Sequence, residues 1–130
     1  MIGLDTNILV RYLTQDDPAQ SAAAVKVIDS LSQHSPGFIS LIVIAELVWV
    51  LEVSYRFKKN DIERVLDTLL RSKELVIERA EIVWQALRNF SASRADFADC
   101  LIERCGQAAE CQHTVTFDRN APSAGMKLLR

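Results

Sequence analysis

Two kinds of segment alternate along the chain: short runs of apolar residues, and longer segments in which apolar and polar residues are mixed. Short apolar runs predict strands at residues 2–4, 38–40, 75–77 and 113–117, with a further short edge strand at 126–129. Longer segments, in which apolar residues recur every three or four positions, predict helices over residues 6–13, 19–31, 42–55, 61–70, 80–90 and 96–109. Short strands separated by helices predict an α/β fold, with a parallel sheet covered on both sides.

Length and composition indicate an ordinary globular protein. The 130 residues predict a single domain over residues 1–130, and 49% apolar with 25% charged residues is typical of soluble proteins. The apolar stretch at residues 41–45 ends at Glu46 and is too short to span a bilayer, and no secretory signal begins the chain. We therefore expect a cytoplasmic protein with no membrane partner. A net charge of −2 predicts no extended phosphate-binding surface.

Two aspartates directly follow predicted strands. Asp5 follows the first strand and Asp118 the fourth. The first strand is so short and apolar that it is expected to be central and buried on both faces. Carboxyl ends of parallel strands meet at one edge of a sheet, which is where open α/β folds bind ligands. The pattern therefore predicts that Asp5 and Asp118 lie at the same edge.

Three further acids stand at unusual positions. Asp96 and Asp99 share one face at the start of a helix, and Glu46 interrupts the most apolar helix, where it needs a partner. Each has a structural explanation: Asp96 as an N-cap, Asp99 beside the helix dipole, and Glu46 paired with a lysine or arginine or pointing to solvent. Asp118 can likewise be a turn residue. Carboxylates brought together, however, raise each other's pKa unless a divalent cation intervenes. Such oxygen-rich sites suit Mg²⁺ or Mn²⁺, which activate water for phosphodiester cleavage.

Other catalytic motifs are missing. The chain has no Gly-x-Ser-x-Gly elbow, no phosphate-binding glycine loop and no His-Glu-x-x-His, and His34 lies far from His113 in sequence. A metal-bound water is therefore the simplest attacking group.

Four motifs in order resemble a PIN domain, and in particular the toxin ribonucleases of VapBC-type toxin–antitoxin pairs. They are Leu4-Asp5-Thr6-Asn7, Glu46-Leu47, Asp96-Phe97-Ala98-Asp99 and Thr114-Val115-Thr116-Phe117-Asp118. The resemblance implies a three-layer α/β/α domain around a short central parallel sheet. It also implies Mg²⁺-dependent endonucleolytic cleavage of RNA, and a cognate antitoxin that covers the acidic groove.

The resemblance also implies roles for individual residues. Asp5, Glu46 and Asp99 correspond to the main metal-organising acids, and Asp118 to the fourth. Asp96 corresponds to an accessory acid on the same helix face, and Asn7 and Thr116 to polar support. The chain departs from the family pattern after Ile102, where Glu103 and Arg104 replace residues that are often small.

Candidate binding surfaces follow from the remaining residues. The basic residues expected to hold the RNA backbone are Arg11, Arg56, Lys58, Lys59, Arg94 and Arg119, of which those at 56–59 form the best cluster. The helix at 42–55 has apolar residues on more than one face and can serve a homodimer, although core positions are expected for Trp49 and Leu51.

Two alternatives remain open from the sequence. In a haloacid-dehalogenase-like phosphotransfer domain Asp5 would be the nucleophile, but Asn7 stands where a second aspartate is usual. A non-catalytic interaction module can keep this fold without its chemistry. Such a module need not gain stability from Mg²⁺, so metal titration distinguishes it from a nuclease.

Overall fold

A computed structural model describes residues 1–130 as two compact units, Met1–Glu78 and Arg79–Arg130. The first unit contains β1 (Ile2–Gly3), α1 (Thr6–Thr14), α2 (Pro18–Asp29), β2 (Gly37–Ile39), α3 (Leu41–Tyr55), α4 (Lys59–Arg71) and β3 (Leu75–Ile77). The second contains α5 (Ala80–Ala92), α6 (Phe97–Ala108), β4 (Val115–Thr116), a 3₁₀ turn (Ala121–Ala124) and β5 (Lys127–Leu128). Every predicted helix and strand is present, which confirms the α/β class. The single domain stays a prediction. No helix has the length and hydrophobicity needed to span a membrane.

A three-stranded parallel sheet organises the first unit, in the order β1-β2-β3. Gly37 lets β2 pass close to its neighbours, because a Cβ at this position would come within 2.8 Å of Leu4 and 2.9 Å of Leu31. The turn before α2 follows the predicted capping pattern: Asp17 accepts a hydrogen bond from the Gln20 amide, and Pro18 is the first helical residue.

The strands correct two expectations. β1 lies at the edge of its sheet and not at the centre, and Ile2 is 49% exposed. The strands also form two sheets and not one, since β4 pairs with β5. β1, β4 and β5 have two residues each, so each offers few backbone groups for pairing with a neighbour, and within its sheet β1 pairs only with β2.

Helix α3 has a buried face and an exposed apolar face. Ser40 and Glu78 cap its start, accepting hydrogen bonds from the amides of Val43 and Leu41 at 3.2 and 2.9 Å. The buried face consists of Ile44, Leu47, Val48 and Leu51, which confirms the core position of Leu51. The core position expected for Trp49 is wrong. Trp49 is 61% exposed, because at helical spacing it falls on the opposite face of α3.

The second unit is built on the packing of α5 against α6. The rings of Phe90 and Phe97 meet edge to face, with their centroids 5.8 Å apart. The glycine at position 106 lets α6 approach the chain entering β4, because a Cβ there would lie only 2.5 Å from the hydroxyl oxygen of Thr114. Helix α6 is therefore held close to the segment that leads to Asp118.

Candidate metal and catalytic site

Asp5 stands where the chain leaves β1 and begins α1. The amide of Leu4 still bonds to the Phe38 carbonyl at 2.8 Å, so the pairing of the strands continues up to the residue before Asp5. Asp5 has an extended backbone, and its Oδ1 accepts a hydrogen bond from the Thr6 amide at 2.9 Å. It is the N-cap of α1, and its exposed carboxylate lies at the carboxyl end of a strand, as predicted.

Thr6 connects the start of α1 to Glu46 on α3. The Thr6 hydroxyl donates a hydrogen bond to Oε1 of Glu46, and the Thr6 side chain is almost fully buried. The partner that Glu46 needs is thus a hydroxyl. The sequence analysis gave no role to Thr6, although its position between Asp5 and Asn7 was a signal that it lies near the predicted site. Asn7 itself is exposed.

A second polar network joins α1 to the end of α3. The Arg11 guanidinium donates to the Tyr55 hydroxyl at 3.0 Å, to Asp16 at 3.2 Å and to Gln20 at 2.7 Å. Tyr55 donates in turn to Asp16 at 2.6 Å. This hydrogen bond and that from Thr14 lower the pKa of Asp16. Arg11, a predicted RNA ligand, is thus engaged within the first unit.

Asp96 and Asp99 lie at the start of α6, in the same unit as Asp118. Asp96 is the N-cap of α6, and its Oδ1 accepts a hydrogen bond from the Asp99 amide at 2.8 Å. Partial burial raises the pKa of Asp99, and the negative charges of Asp96 and Asp118 raise it further. The sequence analysis expected such repulsion among gathered acids, and here it is seen only as the effect of Asp96 and Asp118 on Asp99.

Hydrogen bonds within its own turn hold Asp118 in place. Its amide donates to the Thr116 hydroxyl at 3.0 Å, and its Oδ1 accepts from the Asn120 amide at 2.8 Å. The turn role considered for Asp118 is therefore observed together with its effect on Asp99. Thr116 supports Asp118 through the backbone.

One family model spans both units. The PIN domain model matches residues 2–125. The chain belongs to the PIN domain family. A VapC ribonuclease from Aquifex aeolicus (strain VF5) is 27% identical over 125 residues, which cover 95% of this chain and 92% of that protein. The predicted PIN resemblance is thereby confirmed.

Two solved structures are similar at lower identity. One is the structure of FitAB bound to an IR36 DNA fragment, with a TM-score of 0.42 and 20% identity over 99% of this chain and 94% of that chain. The other is FitAcB from Neisseria gonorrhoeae, with a TM-score of 0.39 and 19% identity over 100% of this chain and 97% of that chain.

The acids of this PIN domain lack cationic partners. Ion pairs form at Asp16, Asp61, Asp67, Glu81 and Glu103, and none of these pairs involves Asp5, Glu46, Asp96, Asp99 or Asp118. No three acidic, histidine or cysteine side chains are close enough together to coordinate one ion. Carboxylate oxygens suit hard divalent cations, and such a cation can keep several waters and take only one or two carboxylates from the protein.

The predicted basic residues differ in exposure. Arg56, Lys58, Arg94 and Arg119 are exposed, and Lys59 is half-buried. Arg56 ends α3 in the left-handed region, with φ of 56°, and leads into the basic loop before α4. This loop combines exposure with local positive charge.

Proposed function

We propose that this PIN domain is a metal-dependent endoribonuclease and the toxin of a toxin–antitoxin pair. The observation that supports the proposal is the raised pKa of Asp99, which is caused by partial burial and by the negative charges of Asp96 and Asp118, in a side chain that forms no ion pair. A divalent cation relieves such repulsion. The VapC ribonuclease relative, aligned over almost its whole length, supports RNA as the substrate.

We assign catalysis to Asp5, Glu46, Asp99 and Asp118, the acids that match the family motifs, with Mg²⁺ as the cofactor and Mn²⁺ as a substitute. When bound, the cation lowers the pKa of a water and neutralises charge on the phosphate. Asp99 and Asp118 supply carboxylate oxygens to it, and Asp96 holds the start of α6 as its cap. The assignment leaves no protein side chain as the nucleophile.

Two of the assigned acids, Asp5 and Glu46, belong to the first unit. Asp5 is held as the cap of α1, so its carboxylate has a defined direction. The Thr6 hydroxyl occupies one oxygen of Glu46, and the proposed role of the other oxygen is to orient the attacking water and accept its proton. Asn7 and Thr116 are assigned as polar support.

Contacts to the RNA backbone are assigned to Arg56, Lys58, Lys59, Arg94 and Arg119. The loop at 56–59 is the main contact, since it has the highest local density of positive charge. Arg11 is the weakest of the predicted ligands, because its guanidinium already bonds to Tyr55, Asp16 and Gln20.

An RNA cleavage assay tests the proposal. The purified protein is expected to cut RNA in the presence of Mg²⁺ or Mn²⁺ and to stop when EDTA is added. The same cations should raise the melting temperature, because they bind the folded acids and not the unfolded chain. If the RNA remains intact and the melting temperature is unchanged, the result would contradict the nuclease and favour the non-catalytic interaction module.

A cognate antitoxin and a cytoplasmic location complete the proposal. The resemblance to VapBC-type toxins supports the antitoxin, whose segment would cover the acids. The absence of disulfides among Cys100, Cys105 and Cys111 is in keeping with a reducing compartment. A small neighbouring gene for a DNA-binding protein would support the pairing.

We further propose a homodimer formed through the exposed face of α3. Ile42, Trp49 and Val53 are 78%, 61% and 60% exposed and lie on one face of the helix. An apolar face on a surface helix is typical of a protein interface, and two copies of one helix face meet easily about a two-fold axis.

Trp49→Lys is expected to convert the dimer to a monomer, because it places a charge at the centre of this face. Sedimentation of the purified protein measures the mass, and the dissociation constant should rise by at least about tenfold, a typical loss for a central tryptophan. Val76→Lys is the matched control, since Val76 is an exposed apolar residue on β3 and not on α3. A Trp49→Lys variant that sediments as the dimer would contradict the interface.

A further inference from the structure

Glu103 is the only ionisable residue among the buried polar side chains, with 6% of its surface exposed. It lies on α6 one turn beyond Asp99, at the point where the sequence departs from the family pattern. Burying a carboxylate is unfavourable unless the group is paired and hydrogen-bonded. The proposed mechanism does not use Glu103.

A neighbouring residue on the same helix pairs with Glu103. The Nε of Arg104 donates a hydrogen bond to Oε2 at 2.5 Å, and the two side chains are 24% and 8% exposed. Because the partners are adjacent in sequence, the pair forms with the helix and needs no other element. One side of the carboxylate is thus occupied by Arg104.

The other side of Glu103 lies against Gly125. A Cβ at Gly125 would meet Oε1 of Glu103 at 3.3 Å and its Cδ at 3.4 Å, so the glutamate side chain fills the space next to this glycine. Gly125 has φ of 110°, a conformation that favours glycine, and its amide bonds back to the Pro122 carbonyl at 3.0 Å. The turn therefore closes directly over the buried carboxylate.

This turn ends the segment that begins at Asp118. The Asp118 carbonyl accepts a hydrogen bond from the Ala121 amide at 3.3 Å, which starts the 3₁₀ turn, and β5 follows Gly125. Helix α5 holds the same turn through Asn89, which donates to the Ala124 carbonyl at 2.8 Å. Asp99 and Glu103 are thus on one rigid helix, and Asp118 and Gly125 are on one hydrogen-bonded segment.

We propose that Glu103 is a positioning residue that sets the separation of Asp99 and Asp118. Its side chain fixes where the segment from Asp118 to Gly125 rests on α6. A shift at Gly125 moves the segment along the helix and changes how closely the two aspartates approach. The catalytic consequence of this arrangement rests on the proposed nuclease function.

The test is Glu103→Gln, which keeps the volume and removes the charge that Arg104 pairs with. In the metal-free protein, amide hydrogen exchange over residues 118–126 should become about tenfold faster, while exchange in the first unit stays unchanged. The Mg²⁺ concentration for half-maximal thermal stabilisation should rise by about tenfold, the usual scale for losing a residue that supports a ligand. RNA cleavage should fall at low Mg²⁺ and recover at saturating Mg²⁺.

Glu81→Gln is the matched control. Glu81 also pairs with a nearby arginine, Arg79, at 2.8 Å, but both side chains are exposed. The proposal would be overturned if Glu103→Gln and Glu81→Gln showed the same amide hydrogen exchange over residues 118–126 and the same Mg²⁺ concentration for half-maximal stabilisation. So would a general loss of stability with no selective change at residues 118–126.

Amide hydrogen exchange tests the role of Glu103 independently of whether the protein is a nuclease. A wild-type protein that does not cleave RNA refutes the nuclease, and the exchange over residues 118–126 still decides the role of Glu103. If Glu103→Gln does not fold, Arg104→Met removes only the donor of the pair. The same selective change at residues 118–126 is then expected, and unchanged exchange there would count against the proposal.

Discussion

Asp5→Asn is expected to abolish metal-dependent RNA cleavage without unfolding the protein. Asparagine keeps the shape of the side chain, but it removes the negative charge and replaces one carboxylate oxygen by an NH₂ group, so a cation is bound much more weakly. The cleavage rate should fall on the order of a thousandfold, the scale of losing one electrostatic group at a reacting centre. Asparagine is as good an N-cap as aspartate, so the bond to the Thr6 amide and the start of α1 should persist. Single-turnover cleavage and a urea unfolding curve measure the two quantities.

Asp17→Asn is the control for this variant. Asp17 caps α2 just as Asp5 caps α1, and it lies in the same unit. Both variants should unfold at nearly the wild-type urea concentration, and Asp17→Asn should cleave RNA at the wild-type rate. Full activity in Asp5→Asn would remove the central assignment of the mechanism. A comparable loss in both variants would trace the effect to capping and not to chemistry.

Asp99→Asn is expected to lower RNA cleavage by a similar factor and, in addition, to stabilise the metal-free protein at neutral pH. Partial burial, followed by the charges of Asp96 and Asp118, raises the pKa of Asp99 in the folded state. Ionised Asp99 therefore opposes folding, and asparagine removes both the charge and this penalty. The variant should also gain less stability from Mg²⁺ than the wild type, because a carboxylate donor is gone.

The pH dependence follows from the direction of this shift. Between the ordinary aspartate pKa and the raised pKa, the folded state binds more protons than the unfolded state, so stability falls as pH rises. The penalty is absent below the ordinary pKa and complete above the raised pKa. Urea unfolding in EDTA should show wild type and Asp99→Asn converging at low pH and separating as pH rises. A variant that is less stable than the wild type at neutral pH would contradict the repulsion.

Much of the fold was predictable from sequence patterns that span only a few residues. The start of α2 was predicted from Asp17 and Pro18, and both act as expected, because capping depends only on residues a few positions apart. The sites of Asp5 after β1 and Asp118 after β4 were also predicted, since the end of a strand can be read from an apolar run. The placement of Asp96 and Asp99 on the first turn of α6 was also predicted, since it depends only on their spacing of three residues.

Contacts between distant residues were not predictable in the same way. The Thr6 hydroxyl reaches Glu46 across 40 positions of sequence, and no local pattern specifies that pair. Trp49 was expected in the core because α3 is apolar on two faces, and periodicity cannot tell which face is covered. Glu103 was recognised only as a departure from the family pattern, since its burial depends on the turn at Gly125.

The amino-acid sequence alone determined the order of helices and strands, their caps and the acidic positions. Each of these depends on residues only a few positions apart in the chain. Only tertiary packing decided which hydroxyl or arginine contacts each acid. It also decided which face of α3 remains exposed. The physical reason is that burial and pairing depend on side chains brought together from far apart in the chain. Hydrophobic periodicity records that a face is apolar, but it does not record what covers it.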